Sequence, residues 1–286
     1  MSDGFSLVKV DGKIVEPATV LIKKISDAIG GGFKPRQIRR VAQAQADAEV
    51  IEAKAQIEIT ELRQRALIRF IMEESKKQDN IESITEKAIG QLDASSTPQD
   101  IENDWITNFF DKCRIISDED MQLLWSKLLA GEANTLGTFS KRTVTFMASL
   151  DKRDAVLFTK LCGFTWLFGD LETLIYDEKA SIYGTAGINF DTLIHLDDIG
   201  LISFSTSGFS ITNLPKRIKC HYYGEPIIIE FKQDENNSIK IGKVLLSRIG
   251  KQLAHICDSK PVDGFTEYIL DNWRKQGLTP SSPHSE

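Results

Sequence analysis

From Arg36 to Ile89 the chain contains neither glycine nor proline, and it opens on the alanine-rich, charge-mixed run VAQAQADAEVIEAKAQIEITELRQRALIRF. Helices of globular proteins usually run about 8–20 residues before a cap or breaker interrupts them. An uninterrupted segment of this kind predicts an extended helix, and Arg36–Lys77 alone would span roughly 60 Å at 1.5 Å per residue. Within it Val41, Ala44, Ala48, Ile51 and Ala55 recur at 3-4-3-4 spacing, and Ile59, Leu62, Ala66 and Phe70 continue the stripe with a slight drift. Such a stripe is a helix–helix seam. Alanine allows close approach but buries little area at about 25 cal/mol per Å², so the seam needs supporting contacts. Two readings stay open: packing on the chain's own later helices, or self-association, which the overhang of so long a rod favours. Arg36, Arg39 and Arg40 at its start read as a solvated basic face.

Composition narrows the function class. At 286 residues there is room for about two domains, and the balance of 41% hydrophobic and 27% charged residues is that of a globular chain rather than a disordered one. A net charge of −6 and a pI near 5.4 argue against a surface built throughout for nucleic acid or anionic lipid. No signal-peptide pattern and no apolar run near 18 residues is present, so a cytoplasmic protein is expected. Cys113, Cys162, Cys220 and Cys257 form no C-x-x-C pair and read as reduced thiols in apolar gaps.

Residues 1–34 read as a hairpin, FSLVKVDGKIVE at 5–16, followed by a short amphipathic helix. That helix sets Val20, Leu21, Ile25 and Ile29 on one side and stops at Gly30-Gly31-Gly32. The triple glycine follows a helix rather than a strand, and Lys34 precedes Pro35 instead of Ser or Thr, so it reads as a hinge and not as a phosphate loop. Residues 35–92 form the helical arm, and LDASSTPQD separates it from a helical bundle at 98–168. In the bundle Ile101, Trp105, Ile106, Phe109 and Phe110 crowd one face. Asp118 is a cap for the helix carrying Met121, Leu124, Trp125, Leu128 and Leu129, and Ser140 one for Lys141–Leu150. Asp151 with Asp154 suggests a capping arrangement for a helix through Phe164. Glu132 and Asn134 close one helix while Ser140 and Arg142 open the next. A Glu132–Arg142 pair would staple the two through parallel N–H bonds. No His, Cys or second carboxylate completes an acid–base pair nearby, which makes that role structural and the chain non-enzymatic.

Residues 169–275 turn to strands. A helix from Asn189 to Leu196 ending at Gly200, strands at Leu201–Ser205, Phe209–Leu214, Ile218–Tyr223 and Pro226–Phe231, then VLLSRIGKQLAHI, follow the rhythm of a winged-helix module. The helix that would enter a DNA groove, FDTLIHLDDIG, carries three Asp and no Lys or Arg, a poor composition for reading DNA. A nucleic-acid contact would instead lie in the wing, on Lys216, Arg217, Lys219 and Arg248 with Lys240, Lys243 and Lys251. His195, His221 and His255 are too dispersed for a metal set, and no cofactor is implied. A final amphipathic helix presents Phe265, Tyr268, Ile269 and Trp273, and the tail at 276–286 reads as disordered.

The strings ITNFFDKCRIISDEDMQLLWSKLLAGEAN, FSKRTVTFMASLDKRDAVLFTKLCGF and HLDDIGLI together resemble an uncharacterised bacterial family classed as a domain of unknown function, over roughly Pro35 to Trp273. The sub-pattern carried by Trp125, Glu132, Asn134, Ser140, Arg142 and Asp154 also resembles the alpha-type abortive-infection proteins of bacteria, which implies a setting in phage defence. The expected architecture is mainly α with a small α+β part: a long N-terminal helical arm, a helical bundle and a C-terminal winged-helix-like domain. The expected function is a cytoplasmic, oligomer-forming interaction or sensor protein that meets a second copy or a partner protein through the long helix. A nucleic-acid-binding regulator is the first alternative. The second is a membrane-active effector whose Ala18–Phe33 segment lies in the lipid interface.

Overall fold

The computed structural model describes residues 15–30 and 61–281. The hairpin expected at 5–14, the glycine hinge beyond Gly30, the arginine cluster and the seam residues Val41, Ala44, Ala48, Ile51, Ala55 and Ile59 lie outside the described residues. The chain divides into two compact units at Ser149/Leu150.

The first unit is helical. Its elements are α1 (Val15–Ile29), α2 (Glu61–Ile89), a 3-10 turn (Pro98–Asp100), α3 (Asn103–Cys113), α4 (Glu119–Asn134) and α5 (Lys141–Met147). Val15 and Glu16, read from sequence as the end of a hairpin, belong to α1 instead. Leu21 and Ile25 recur at i, i+4 and are buried where α1 packs on α3 and the 3-10 turn. Lys24 Nζ fastens the same face, donating to the Gln99 carbonyl at 3.2 Å. The core centres on Phe109, stacked on Trp105 and edge-on to Trp125, with Trp105 Nε1 donating to the Phe139 carbonyl at 2.8 Å. Asp118 caps α4 by accepting from the Asp120 and Met121 N–H groups, and Ser140 caps α5 by accepting from Thr143 N–H. Each cap is worth about 1 kcal/mol.

The second unit is mixed. It contains α6 (Lys152–Cys162), β1 (Thr165–Leu167), β2 (Leu171–Thr173), α7 (Ser181–Gly184), α8 (Phe190–Asp198), β3 (Ile202–Leu214), β4 (Arg217–Tyr222), β5 (Glu225–Glu230), β6 (Asn237–Leu246), α9 (Arg248–Ala254), α10 (Phe265–Lys275) and β7 (Thr279–Ser281). Helix α6, read from sequence with the bundle, falls in this unit. Five strands form an antiparallel sheet in the order β2-β1-β4-β5-β7, while β3 and β6 make a separate antiparallel ribbon with register shifts after Phe204 and Phe209. The architecture is therefore mixed α/β, with more sheet than the sequence reading expected.

Several local expectations change. The two short strands at 201–205 and 209–214 are one strand, because a bulge absorbs the Gly208 interruption without ending the pairing. Asp151 makes no side-chain cap, and Asp154 is drawn to His195 instead, with Oδ1 2.8 Å from Nε2. The tail at 276–286 does not begin disordered. Thr279–Ser281 pair with Ile228–Glu230, since an open strand edge recruits backbone N–H and C=O groups and needs no apolar anchor. Tyr223 and Gly224, with φ of 47° and 91°, make the tight hairpin between β4 and β5. Behind the sheet Trp166 stacks on Tyr222 and meets Trp273 edge-on, while Phe164, Tyr183 and Phe265 form an adjoining cluster.

Candidate functional site

Helix α2 has two halves of different character. From Asn80 onward it is embedded: Asn80, Glu82, Ile84, Thr85 and Ala88 are buried. Before Asn80 it is largely uncovered, with Leu62 69%, Leu67 41%, Phe70 60% and Met72 68% exposed. Of the seam residues, Leu62, Ala66 and Phe70 are described, and all three are exposed. They recur at i, i+4 and i+8, so they share one face. Arg63, Arg65 and Arg69 are interleaved with these apolar groups, which gives the face a basic rim.

The embedded half is fixed by a ladder of polar groups. Asn80 Nδ2 donates to the Arg114 carbonyl at 2.8 Å, and Gln122 Nε2 donates to Asn80 Oδ1 at 3.2 Å and to the Ile116 carbonyl at 2.9 Å. Gln122 Oε1 accepts from Ser83 Oγ at 2.8 Å and from Lys87 Nζ at 3.0 Å. One turn on, Gln91 Nε2 donates to Ser126 Oγ at 2.8 Å. A polar network satisfied in this way holds one register between α2 and α4, because any slip would strand buried donors. Sequence reading missed it, although Asn80, Ser83, Lys87 and Gln91 recur at helical spacing as a polar stripe on the side that faces inward.

Of the signature residues, Glu132, Asn134, Ser140 and Arg142 lie between the end of α4 and the start of α5. Glu132, 6% exposed, accepts from the Gly137 and Phe139 N–H groups at 2.8 Å each. This corrects the expected Glu132–Arg142 staple: Arg142 is exposed, and the turn's own backbone donors lie closer to the carboxylate. Asn134 accepts from Asp93 N–H at 2.9 Å and donates to the Gln91 carbonyl at 3.0 Å, tying α4 to the end of α2. Trp125 is fully buried, Ser140 is the α5 cap, and Asp154 meets His195 in the second unit.

In the second unit the expected cationic wing is partly neutralised. Lys216 pairs with Asp234 at 2.9 Å, Lys243 with Glu178 at 2.5 Å, and Lys251 with Asp170. Arg217, Lys219, Lys240 and Arg248 are exposed. Helix α8 presents Phe190, Asp191, Ile194 and Asp198 to solvent, an apolar and acidic face. His195, His221 and His255 make no metal set, and among the described residues no three His, Cys, Asp or Glu side chains are placed to hold a metal ion. No described helix is long and apolar enough to cross a membrane.

A comparison with curated proteins and with solved structures gives no match. One family model does match, described as a protein of unknown function (DUF2806), over residues 64–270. That span takes in the lower part of the uncovered half of α2, the polar ladder, the Glu132 turn and the ribbon, so the chain belongs to the DUF2806 family.

Proposed function

We propose that this protein is a non-enzymatic assembly protein, and that the uncovered half of α2 docks on a second copy of the chain. One observation carries the reading: Leu62, Phe70 and Met72 stand 60–69% exposed on a helix whose other half is locked into a core. Exposed apolar groups clustered on a rigid element are a common mark of an interaction surface. From Glu61 to Asp79 the uncovered length is roughly 28 Å at 1.5 Å per residue. The seam pattern at Val41–Ile59 runs on into Leu62, Ala66 and Phe70, and a seam of small residues suits pairing with an identical helix. Light scattering on the full chain tests the proposal. The expected result is a defined oligomer that falls to monomers in the Leu62→Glu, Phe70→Glu double variant. A monomer at tens of micromolar, or an oligomer indifferent to the substitutions, overturns it.

A second reading has its own support. Helices α7 and α8, followed by the long β3–β6 ribbon and α9, keep the order of a winged-helix module, with β4 and β5 inserted between the wing strands. With its exposed apolar and acidic α8, such a module suits a basic protein surface better than DNA. The membrane reading has less support, since Leu21 and Ile25 of α1 are buried and would have to leave their packing. The likeness of the α4–α5 signature to abortive-infection proteins makes phage challenge of cells carrying the gene the first cellular assay, in which the assembly-deficient variant should protect no better than an empty vector.

A further inference from the structure

Beside the seam, the uncovered half of α2 carries a second side. Arg65, Ile68, Arg69, Met72, Glu73 and Lys76 line an open groove along it. At 3.6 residues per turn, Ile68 and Met72 lie roughly 140° around the helix from the centre of the Leu62, Ala66 and Phe70 stripe, so pairing along the seam leaves this side open. Met72 is exposed and Ile68 half-buried, while Arg65, Arg69 and Lys76 are exposed. Among the described residues Arg65 and Lys76 have no ion-pair partner. Arg69 reaches Glu73, Nε to Oε1 at 3.6 Å, but both side chains are more than half exposed and so solvated a pair holds the guanidinium weakly. From Glu61 to Asp79 five cations accompany four carboxylates, a balance that suits a protein partner rather than an anionic lipid surface.

In the second unit α8 offers a complementary surface. Phe190 and Ile194 are 46% and 37% exposed. Asp191 and Asp198 stand exposed on the same helix, without an ion-pair partner among the described residues. The helix itself is well fixed. Asn189 Oδ1 accepts from the Thr192 N–H at 3.0 Å, Thr192 Oγ1 accepts from the Asn189 N–H at 2.8 Å, and His195 ties the helix to Asp154. Phe190 meets Phe204 edge-on. The two helices repeat one pattern with opposite charge. Counted from Ile68, α2 has apolar groups at i and i+4, Ile68 and Met72, and cations at i+1 and i+8, Arg69 and Lys76. Counted from Phe190, α8 has apolar groups at i and i+4, Phe190 and Ile194, and carboxylates at i+1 and i+8, Asp191 and Asp198. In each helix the two charges flank the apolar pair on one side, about 10 Å apart.

We infer that the Ile68–Met72 side of α2 in one copy of the chain takes α8 of a second copy. Phe190 and Ile194 enter the apolar groove, and Asp191 and Asp198 meet Arg69 and Lys76. The inference rests on the docking role of α2 and adds a second surface to it. Complementary charge selects the occupant: the basic, apolar side of one helix and the acidic, apolar side of the other are present in the same chain, and like charges would keep each from pairing with itself. The contact is heterologous, with one α8 given and one α2 groove filled per copy, so it closes a ring or runs on as a chain. A nine-residue helix, roughly 13 Å long, covers about half of the uncovered length of α2. Such a contact is smaller than the roughly 1,000 Å² of a stable interface, so it acts within the assembly that the seam already holds, where its effective concentration is high.

The test uses the full chain. Ordinary and nitrogen-15-labelled protein are mixed in dilute solution, concentrated, and treated with a zero-length carbodiimide, which joins a lysine to a carboxylate in contact with it. The expected product is Lys76 coupled to Asp191 or Asp198, with one labelled and one unlabelled peptide in many of the links. Links confined to a single isotope, or none, overturn the proposal. Light scattering on dilution supplies the second arm. Arg69→Glu, Lys76→Glu in one variant, and Asp191→Lys, Asp198→Lys in another, should each weaken the assembly about tenfold at low salt with an unchanged circular dichroism spectrum. All four changes in one chain should restore it, and salt of about 0.5 M should level the differences. Weakening without that rescue overturns the contact. An assembly that Leu62→Glu, Phe70→Glu dissolves but that ignores the charge reversals overturns it too and leaves the seam standing; a natural chain that stays monomeric takes both down.

Discussion

Glu132 shows how a buried carboxylate is used here. Its two oxygens each take one backbone N–H from the turn between α4 and α5, at Gly137 and Phe139, and the buried Phe139 N–H would be stranded without it. Removing a partner from a buried donor costs about 1–3 kcal/mol, so Glu132→Ala should lower stability by roughly 1–3 kcal/mol in urea unfolding. Arg142→Ala should stay within about 0.5 kcal/mol, as exposed substitutions usually do. Equal losses for the two would restore the side-chain staple and refute the turn clasp. Gly242 makes a different demand. Its φ is +103°, and a Cβ there would sit 2.3 Å from the Ile175 carbonyl oxygen, where the chain crosses the β3–β6 ribbon. Gly242→Ala combines backbone strain with a backbone clash and should cost roughly 2 kcal/mol or more, read as a lower melting temperature.

At the scale of elements, α2 acts as a fastened rod. The Asn80–Gln122 contact fixes its register against α4, and Gln122 also serves Ser83 and Lys87. Asn80→Leu and Gln122→Leu each leave buried partners unpaired, while the double change removes both sides of one contact. The pair should therefore couple by about 0.5–3 kcal/mol in a double-mutant cycle; additive losses would mean that the ladder does not act as a unit. How far such features were legible in the sequence depends on their range. The caps at Asp118 and Ser140 were readable because a cap is settled within four residues. The β4–β5 hairpin was legible to within one residue for the same reason, its turn being local. Strand β6 was missed: its pairing with β3 passes through register shifts that break simple alternation, and its end runs into α9 after a single residue. β1 and β7 are three residues each, too short to leave a periodic signal.

At the scale of the whole molecule, charge decides between the two main binding readings. The chain carries a net charge of −6, and three of the seven cations of the wing region face carboxylates: Lys216 with Asp234, Lys243 with Glu178, Lys251 with Asp170. For Lys243 the pair is tight enough that its hydrogen bond holds the Glu178 carboxyl below the ordinary range. Arg217, Lys219, Lys240 and Arg248 are left to meet phosphates, while α8 adds the opposing charges of Asp191, Asp197 and Asp198. Each phosphate contact contributes a slope of about −0.9 in log K against log salt, so four cations cap the slope near −4. The expected outcome in filter binding is no retention of duplex DNA at about 150 mM salt and micromolar protein, with at most weak retention at low salt that Arg217→Glu, Lys219→Glu abolishes. A slope near −6 or steeper would require the ion pairs at Lys216, Lys243 and Lys251 to open onto phosphate. In that event the second unit is a nucleic-acid module, and assembly through α2 would serve to bring several such modules onto one strand.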